Sequence, residues 1–406
     1  MKWILRMSKD SDGPVSRHPR FALLLGLCAG LGPFTVDSYL PALPTLAADL
    51  DTSDASVQLT LAATMLGFAA GQLFIGPWSD RVGRRRPLVM GLLLLIVSSL
   101  VSMLSDDIVA LLAARLFQGV GAASAAVVAV ATARDLFAGR ALAGALAGVA
   151  IVQSMAPLVA PVVGSLQLAL VGWRGIFGLL ALYAAVVLVL VAPRLPRMPE
   201  RPDAIDRAFA RYRRVLADPL LRSLLVLAGL RFTALFTFLQ WSPFLLQGER
   251  GMTPVAFGVA FAIVTIGMMI GLQISPRLIR RGAPPARVLW SSYAVLAAAG
   301  ALTALPVPGA PWIVAMGMIL MLGCGLGLPT IQVLALAPHE KDAATVAGLI
   351  GAAGFGTSAL LAPLLNLLPP AIGRYDLSLA IVVGAVAAAS ALVSIRPLSG
   401  AAGRAL

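Results

Sequence analysis

Every second gap between the long apolar runs of this chain is rich in arginine, while the intervening gaps are acidic or nearly uncharged. The runs fall at about 21–41, 56–77, 88–105, 108–133, 141–168, 174–192, 221–246, 254–275, 288–306, 311–336, 343–367 and 376–395. A helix needs roughly 20 apolar residues to span the hydrocarbon core of a bilayer. Barrel strands would run about ten residues with strict alternation, whereas these segments are apolar on every face. Assigned alternately, one side collects 26 of the 31 basic residues, including Lys2, Arg6, Lys9, Arg17, Arg20, the cluster Arg81–Arg86 and eight arginines from Arg194 to Arg222. The other side holds Arg174, Arg250 and Arg374 beside Asp49, Asp51, Asp54, Asp106 and Asp107. Basic loops stay on the cytoplasmic side, so the pattern predicts twelve transmembrane helices with both termini cytoplasmic. The apolar run from Phe21 is read as a retained first helix, since it outlasts a signal-peptide core and no small-x-small cleavage site follows.

Composition agrees with this reading and excludes others. Charged residues make up 12% of the chain and mean hydropathy is +0.91, against roughly 25% charged in soluble domains. The net charge of +13 invites a nucleic-acid partner, but the basic residues are spread through short loops, so no nucleic acid is expected. Cys28 and Cys324 lie inside apolar runs, and His18 and His339 are the only histidines. No metal site, cofactor or enzymatic triad is expected from so little material. A Pro- and Arg-rich stretch at 193–220, with Pro193, Pro196, Pro199 and Pro202, separates two sets of six runs. We therefore expect an N-terminal half at 1–192, a cytoplasmic linker at 193–220 and a C-terminal half at 221–406. Gly76–Arg81 has a degraded echo at Ser275–Arg280, and Ala156-Pro157 at Ala362-Pro363, as repeated halves around a cavity would produce.

Three ionisable residues sit deep within predicted spans. Asp37 is the one acid inside a run away from a loop, and a charged group in hydrocarbon costs about 2.5–3.5 kcal/mol on insertion scales. A carboxyl placed there either faces a working cavity, where it exchanges protons, or is solvated at the outer lip, since Pro41 and Pro44 follow. Arg115 and Arg231 are each expected to meet the cavity or a carboxylate, the alternative being a tie to backbone carbonyls. The segment Gly76, Asp80, Arg81, Gly83, Arg84 is expected to form a tight cytoplasmic turn, with Asp80 capping a helix or pairing with an arginine such as Arg134. A purely positive-inside loop would explain its arginines but not the Gly–Asp–Gly spacing. In helix 5, Pro157 and Pro161 are expected to kink the chain, while Gly144, Gly148 and Gly164 would admit a neighbouring helix. That pattern serves a hinge or seal, or ordinary packing.

The segment from Gly76 to Arg84 resembles motif A of the major facilitator superfamily. Arg115, Gln118, Gly119 and Gly121 resemble its helix 4 motif B, and Pro157, Pro161 and Gly164 its helix 5 antiporter motif. Asp37–Pro44 and Ala133–Phe137 are similar to the bicyclomycin-resistance and chloramphenicol-exporter branch (the Bcr/CflA type) of drug:proton antiporters. The resemblance implies an all-α membrane protein with the major facilitator fold, twelve transmembrane helices in two pseudo-symmetric six-helix halves. It implies export of small lipophilic drugs, amphenicols or a wider range, from the bacterial cytoplasmic (inner) membrane, driven by the proton gradient without a cofactor. Asp37 would exchange the proton and Arg115 would tune it. Tyr39, Gln118, Gln153, Met155, Arg231, Phe232, Phe236 and Gln240 would line the substrate cavity. The expected partners are the bilayer, protons and a small-molecule drug, with the chain acting as a monomer. A proton-coupled transporter of a sugar or amino acid is the alternative.

Overall fold

The computed structural model describes residues 19–195 and 204–402. The expectations on Lys2, Arg6, Lys9, Arg17, His18, Pro196, Pro199, Pro202 and Arg404 lie outside the described residues. All regular elements among the described residues are helical. The first half opens with α1 (Pro19–Asp37), α2 (Asp54–Val82), α3 (Arg85–Leu104) and α4 (Ile108–Leu136). A continuous helical stretch then runs from Gly139 to Val191. At 1.5 Å per residue, its 53 residues would far exceed a hydrocarbon core of about 30 Å. The stretch breaks at Gly172, whose φ of 69° suits a residue without Cβ, dividing α5 (139–171) from α6 (173–191). The second half comprises α7 (Pro219–Pro243), α8 (Pro254–Arg280), α9 (Pro285–Thr303), α10 (Ala310–Leu336), α11 (Ala343–Leu365) and α12 (Tyr375–Ala402).

Nine stretches among the described residues are long and apolar enough to cross a membrane. Two of them, of 56 and 63 residues, are double crossings interrupted at Gly172 and around the short turn Ala337–Asp342. The 19-residue α9, which carries Arg287 and the run Trp290-Ser291-Ser292-Tyr293, falls outside the nine. Some helix starts carry side-chain caps. Ser53 accepts from Ser56 N at 3.2 Å, Asp107 from Val109 N at 2.7 Å, and Asp218 from Leu220 N at 2.9 Å. Each cap satisfies a backbone donor that the helix itself cannot.

The same pairings recur in the two halves. α4 packs on α1, α2 and α3 as α10 packs on α7, α8 and α9. Glycines set the closest of these contacts: a Cβ on Gly119 of α4 would lie 2.0 Å from Thr64 O of α2, and one on Gly325 of α10 2.3 Å from Met268 O of α8. Small residues of this kind let membrane helices approach backbone to backbone. Between the halves, α2 meets α11 and α5 meets α8. The segment expected as a loop from Gly76 is instead helical to Val82, so the turn is confined to Gly83 (φ 83°) and Arg84. In α5, Pro157 and Pro161 lie inside a helix that continues through them to the break at Gly172. Gly164 does admit α1, its Cβ position being 2.0 Å from Ser38 O, but Gly144 and Gly148 would meet nothing within 4 Å.

Candidate transport cavity

α1 ends at Asp37, where Pro41 denies a backbone donor and the chain passes through a 3-10 turn, Leu40–Ala42, into a short helix, Leu43–Asp49. That ending delivers the Asp37 carboxylate to a cavity of about 250 Å³ between the two halves. Asp37 is 5% exposed and makes no hydrogen bond or ion pair among the described residues. The wall comes from α1, α2, α4 and α5 on one side and from α7, α8, α10 and α11 on the other. It is chiefly apolar, with five phenylalanines. Phe68 and Phe355 stack across the halves at 5.0 Å between ring centroids, and Phe232 and Phe236 stand 5.2 and 5.6 Å from Phe355. Phe261, Leu235, Leu239, Met268 and Met321 add apolar surface. Polar groups are sparse: Asp37, Gln72, Gln153 and Thr265.

Toward the arginine-rich end the cavity meets a vestibule of about 400 Å³, the two sharing Gln72, Ala126 and Gln153 in their walls. Gly76, Asp80, Arg84, Arg134, Arg211, Lys341 and Asp342 surround the vestibule. Asp80 pairs with Arg84 at 2.5 Å and with Arg211 at 3.7 Å, not with Arg134 as expected. Arg84 reaches on to Asp135 at 2.6 Å and donates to Ser79 Oγ at 2.6 Å. Burial alone would lower the Arg84 pKa, but the hydrogen bond and charge of Asp135, with Asp80 alongside, hold it above the ordinary arginine value. Arg81 is exposed to the outside of this network. At the acidic end, hydrogen bonds cross between the halves. Gln247 donates to Pro41 O at 3.1 Å, Gln58 to Tyr375 Oη at 3.2 Å, and Tyr375 to Asp54 at 3.0 Å. The vestibule thus lies at the arginine-rich end, and hydrogen bonds join the halves at the acidic one.

Of the expected lining residues, the structure brings Asp37, Gln153, Phe232 and Phe236 to the cavity. Tyr39 and Gln118 are buried behind it. Arg115 Nη1 donates to Thr35 O at 2.9 Å and Gln118 Oε1 at 2.8 Å, and its guanidinium lies 4.5 Å from the Tyr39 ring centroid. Gln118 in turn donates to Ser99 of α3 at 2.9 Å. Gln240 is buried outside the wall, and Met155 faces a separate lateral groove between α1, α5 and α6. Arg231 turns to α9 and α10. Among the described residues neither buried arginine meets a carboxylate or the cavity. Backbone carbonyls, an amide and a hydroxyl oxygen and aromatic rings are their neighbours, while Arg115 Nε and Nη2 and Arg231 Nε have no hydrogen-bond partner among the described residues. Phe68, Gln72, Phe261 and Phe355 were not foreseen: an all-apolar helix gives no sign of which face turns inward.

The Major Facilitator Superfamily sequence profile matches residues 24–363. The chain is 29% identical over 355 residues to the MFS-type transporter YdgK of Bacillus subtilis (strain 168), covering 85% of this chain and 88% of that one. It is 31% identical over 286 residues to a chloramphenicol resistance protein of Pseudomonas aeruginosa, covering 69% and 66%. Among solved structures, a bacterial homologue of the human lysosomal transporter Spinster, in an inward-facing and occupied conformation, superposes with a TM-score of 0.75. That match spans 96% of this chain and 98% of the other at 15% identity, a likeness of fold alone. With its helical architecture, its cavity between two packed halves and a profile match along most of its length, the chain belongs to the major facilitator superfamily of multi-pass membrane transporters.

Proposed function

We propose that the chain exports small lipophilic drugs from the cytoplasm in exchange for protons. One observation carries this reading: among the described residues Asp37 is the only acid on the cavity wall, and it stands there without a partner, among five phenylalanines. Substrate enters through the vestibule and occupies the aromatic cage beside Asp37. Proton and substrate compete for that carboxyl, so substrate binding releases the proton. The halves then rock, the acidic end opens, and reprotonation of Asp37 from outside favours release. Coupling needs nothing more than this differential binding, and the proton gradient supplies the energy without a cofactor.

Positive-inside placement supports a bacterial cytoplasmic membrane with both termini inside, and hence a cytoplasmic vestibule. The moving bodies are residues 1–192 and 221–406, joined through 193–220, and the two halves suffice for a cavity in one monomer. The lining supports a drug over a sugar or amino acid. Such solutes demand many hydrogen bonds, and leaving them unmade costs about 1–3 kcal/mol each, whereas this wall offers four polar side chains. The P. aeruginosa relative's name, chloramphenicol resistance protein, supports including amphenicols in a first drug panel. Expression in an efflux-deficient host should raise resistance to chloramphenicol or another neutral lipophilic drug. No protection against any drug, with proton-coupled uptake of a sugar or amino acid, would replace this reading by the metabolite one.

A further inference from the structure

Transport by Asp37 leaves one deeply buried cation without a task. Arg231 is 1% exposed in the middle of α7, where an unexplained charge is expensive. Its neighbour Phe232 faces the cavity. Successive helical residues point about 100° apart, so Arg231 is directed elsewhere. Nη1 donates to Gly323 O of α10 at 2.6 Å, and Nη2 donates to Ser292 Oγ of α9 at 2.8 Å. The guanidinium lies 5.5 Å from the centroid of the Tyr293 ring, and Tyr293 shares a 2.9 Å hydrogen bond with Ser394 of α12. One side chain therefore ties α7 directly to α9 and α10, and through Tyr293 to α12. Room for it is made by Gly327, where a Cβ would lie 2.0 Å from the Arg231 Cζ.

The two helices that Arg231 ties together, α7 and α10, carry part of the cavity wall. Phe232 follows it on α7 and packs on Phe236 and Phe355. Met321, two residues before Gly323, lines the cavity from α10. We propose that Arg231 is a positioning residue for substrate, holding α7 and α10 in the register that sets Phe232 and Met321 across the cavity. The reach to two acceptors at once needs the planar fork of a guanidinium. A lysine ammonium at this position would satisfy one and lose the other. The assignment rests on the transport reading of the cavity, but its geometry is separable from it.

Radiolabelled chloramphenicol uptake into everted vesicles would be compared for wild type, Arg231→Lys, Arg231→Met, Gly327→Ala and the double variant Arg231→Met/Gly327→Ala. Each single variant should raise the apparent KM about five- to tenfold, the value of roughly one displaced hydrogen bond, with proton movement per drug unchanged. Gly327→Ala should add nothing once Arg231 is methionine, since the three atoms nearest its Cβ all belong to the guanidinium. The same cycle in thermal unfolding of the purified proteins needs no substrate and should be non-additive. A wild-type KM in Arg231→Lys or Gly327→Ala, or additive losses in either cycle, would overturn the assignment. Where Arg231→Met does not fold, Arg231→Lys and Gly327→Ala decide the matter. Wild-type vesicles that accumulate no chloramphenicol would count against the amphenicol reading, while the unfolding cycle still judges Arg231.

Discussion

Arg115 reaches from α4 to the last turn of α1, and Arg231 reaches from α7 to α10. In the six-helix repeat these are the same pair of helices, with the arginine on opposite members. Each arginine also recruits the third helix of its half: Arg115 through Gln118 to Ser99, Arg231 directly to Ser292. Each lies near a tyrosine ring. The difference is what stands next to the tie. Arg115 holds Thr35 O, two residues before Asp37, and its positive charge opposes the negative end of the α1 dipole at the point where the acid is displayed. Arg231 holds a glycine-rich stretch of α10 with no acid beside it. Packing is thus duplicated and the cavity acid is not: the first half places Asp37 on the wall, while the second supplies more of the phenylalanines.

That contrast is most exposed at Asp37. Asp37→Asn should abolish proton-driven drug accumulation in everted vesicles, a loss of at least about a hundredfold for removing the group that exchanges the ion, while the protein still folds. Coupled transport persisting in Asp37→Asn would break the asymmetry between the halves. The next effect concerns how the acid is held. Gly164→Val places side-chain atoms against Ser38 O, where even a Cβ would lie at 2.0 Å. It should cost about 1–3 kcal/mol of stability by overpacking and displace the end of α1. Gly148→Ala on the same helix, with nothing within 4 Å, should leave melting temperature and transport unchanged.

In the second half, Phe355→Ala opens the centre of the cage. It should raise the apparent KM for lipophilic drugs by about tenfold, the scale of 1–3 kcal/mol for lost apolar contact, and leave protons moved per drug as in wild type. A changed stoichiometry would show that proton chemistry is shared after all. Smallest is the latch at the acidic end. Tyr375→Phe removes the hydroxyl that donates to Asp54 and accepts from Gln58, worth about 0.5–1.5 kcal/mol per hydrogen bond. It should increase thiol labelling, from outside, of a cysteine introduced at Ser53, with efflux changed less than twofold by the same scale.

The helices were legible because crossing a bilayer demands length and apolarity, and both are written along the chain from Phe21 to Ser394. Asp37 was legible for the complementary reason that an acid has no business in hydrocarbon. Orientation about each helix axis was not. A membrane helix faces lipid on one side and protein on the other, and both are apolar, so the phase that marks the inner face of a soluble helix is missing. Tyr39 and Gln118 were expected in the cavity and lie behind it, whereas Phe355 was passed over and stands at its centre. Arg231 and Phe232 illustrate the point most simply: adjacent in sequence, they serve different sides of α7. The Asp80–Arg84–Asp135 network was half legible, because its residue types were evident while the choice of Arg84 over Arg134 depends on where α2 turns at Gly83.

The claim that one carboxyl joins proton and substrate is tested most directly without a membrane at all. Purified protein in weakly buffered detergent solution would be mixed with saturating drug while a pH dye records proton release. The account predicts about one proton released per drug bound to wild type, since one group exchanges, and none from Asp37→Asn. Release of the same size from Asp37→Asn, or drug binding to wild type with no release, would contradict it.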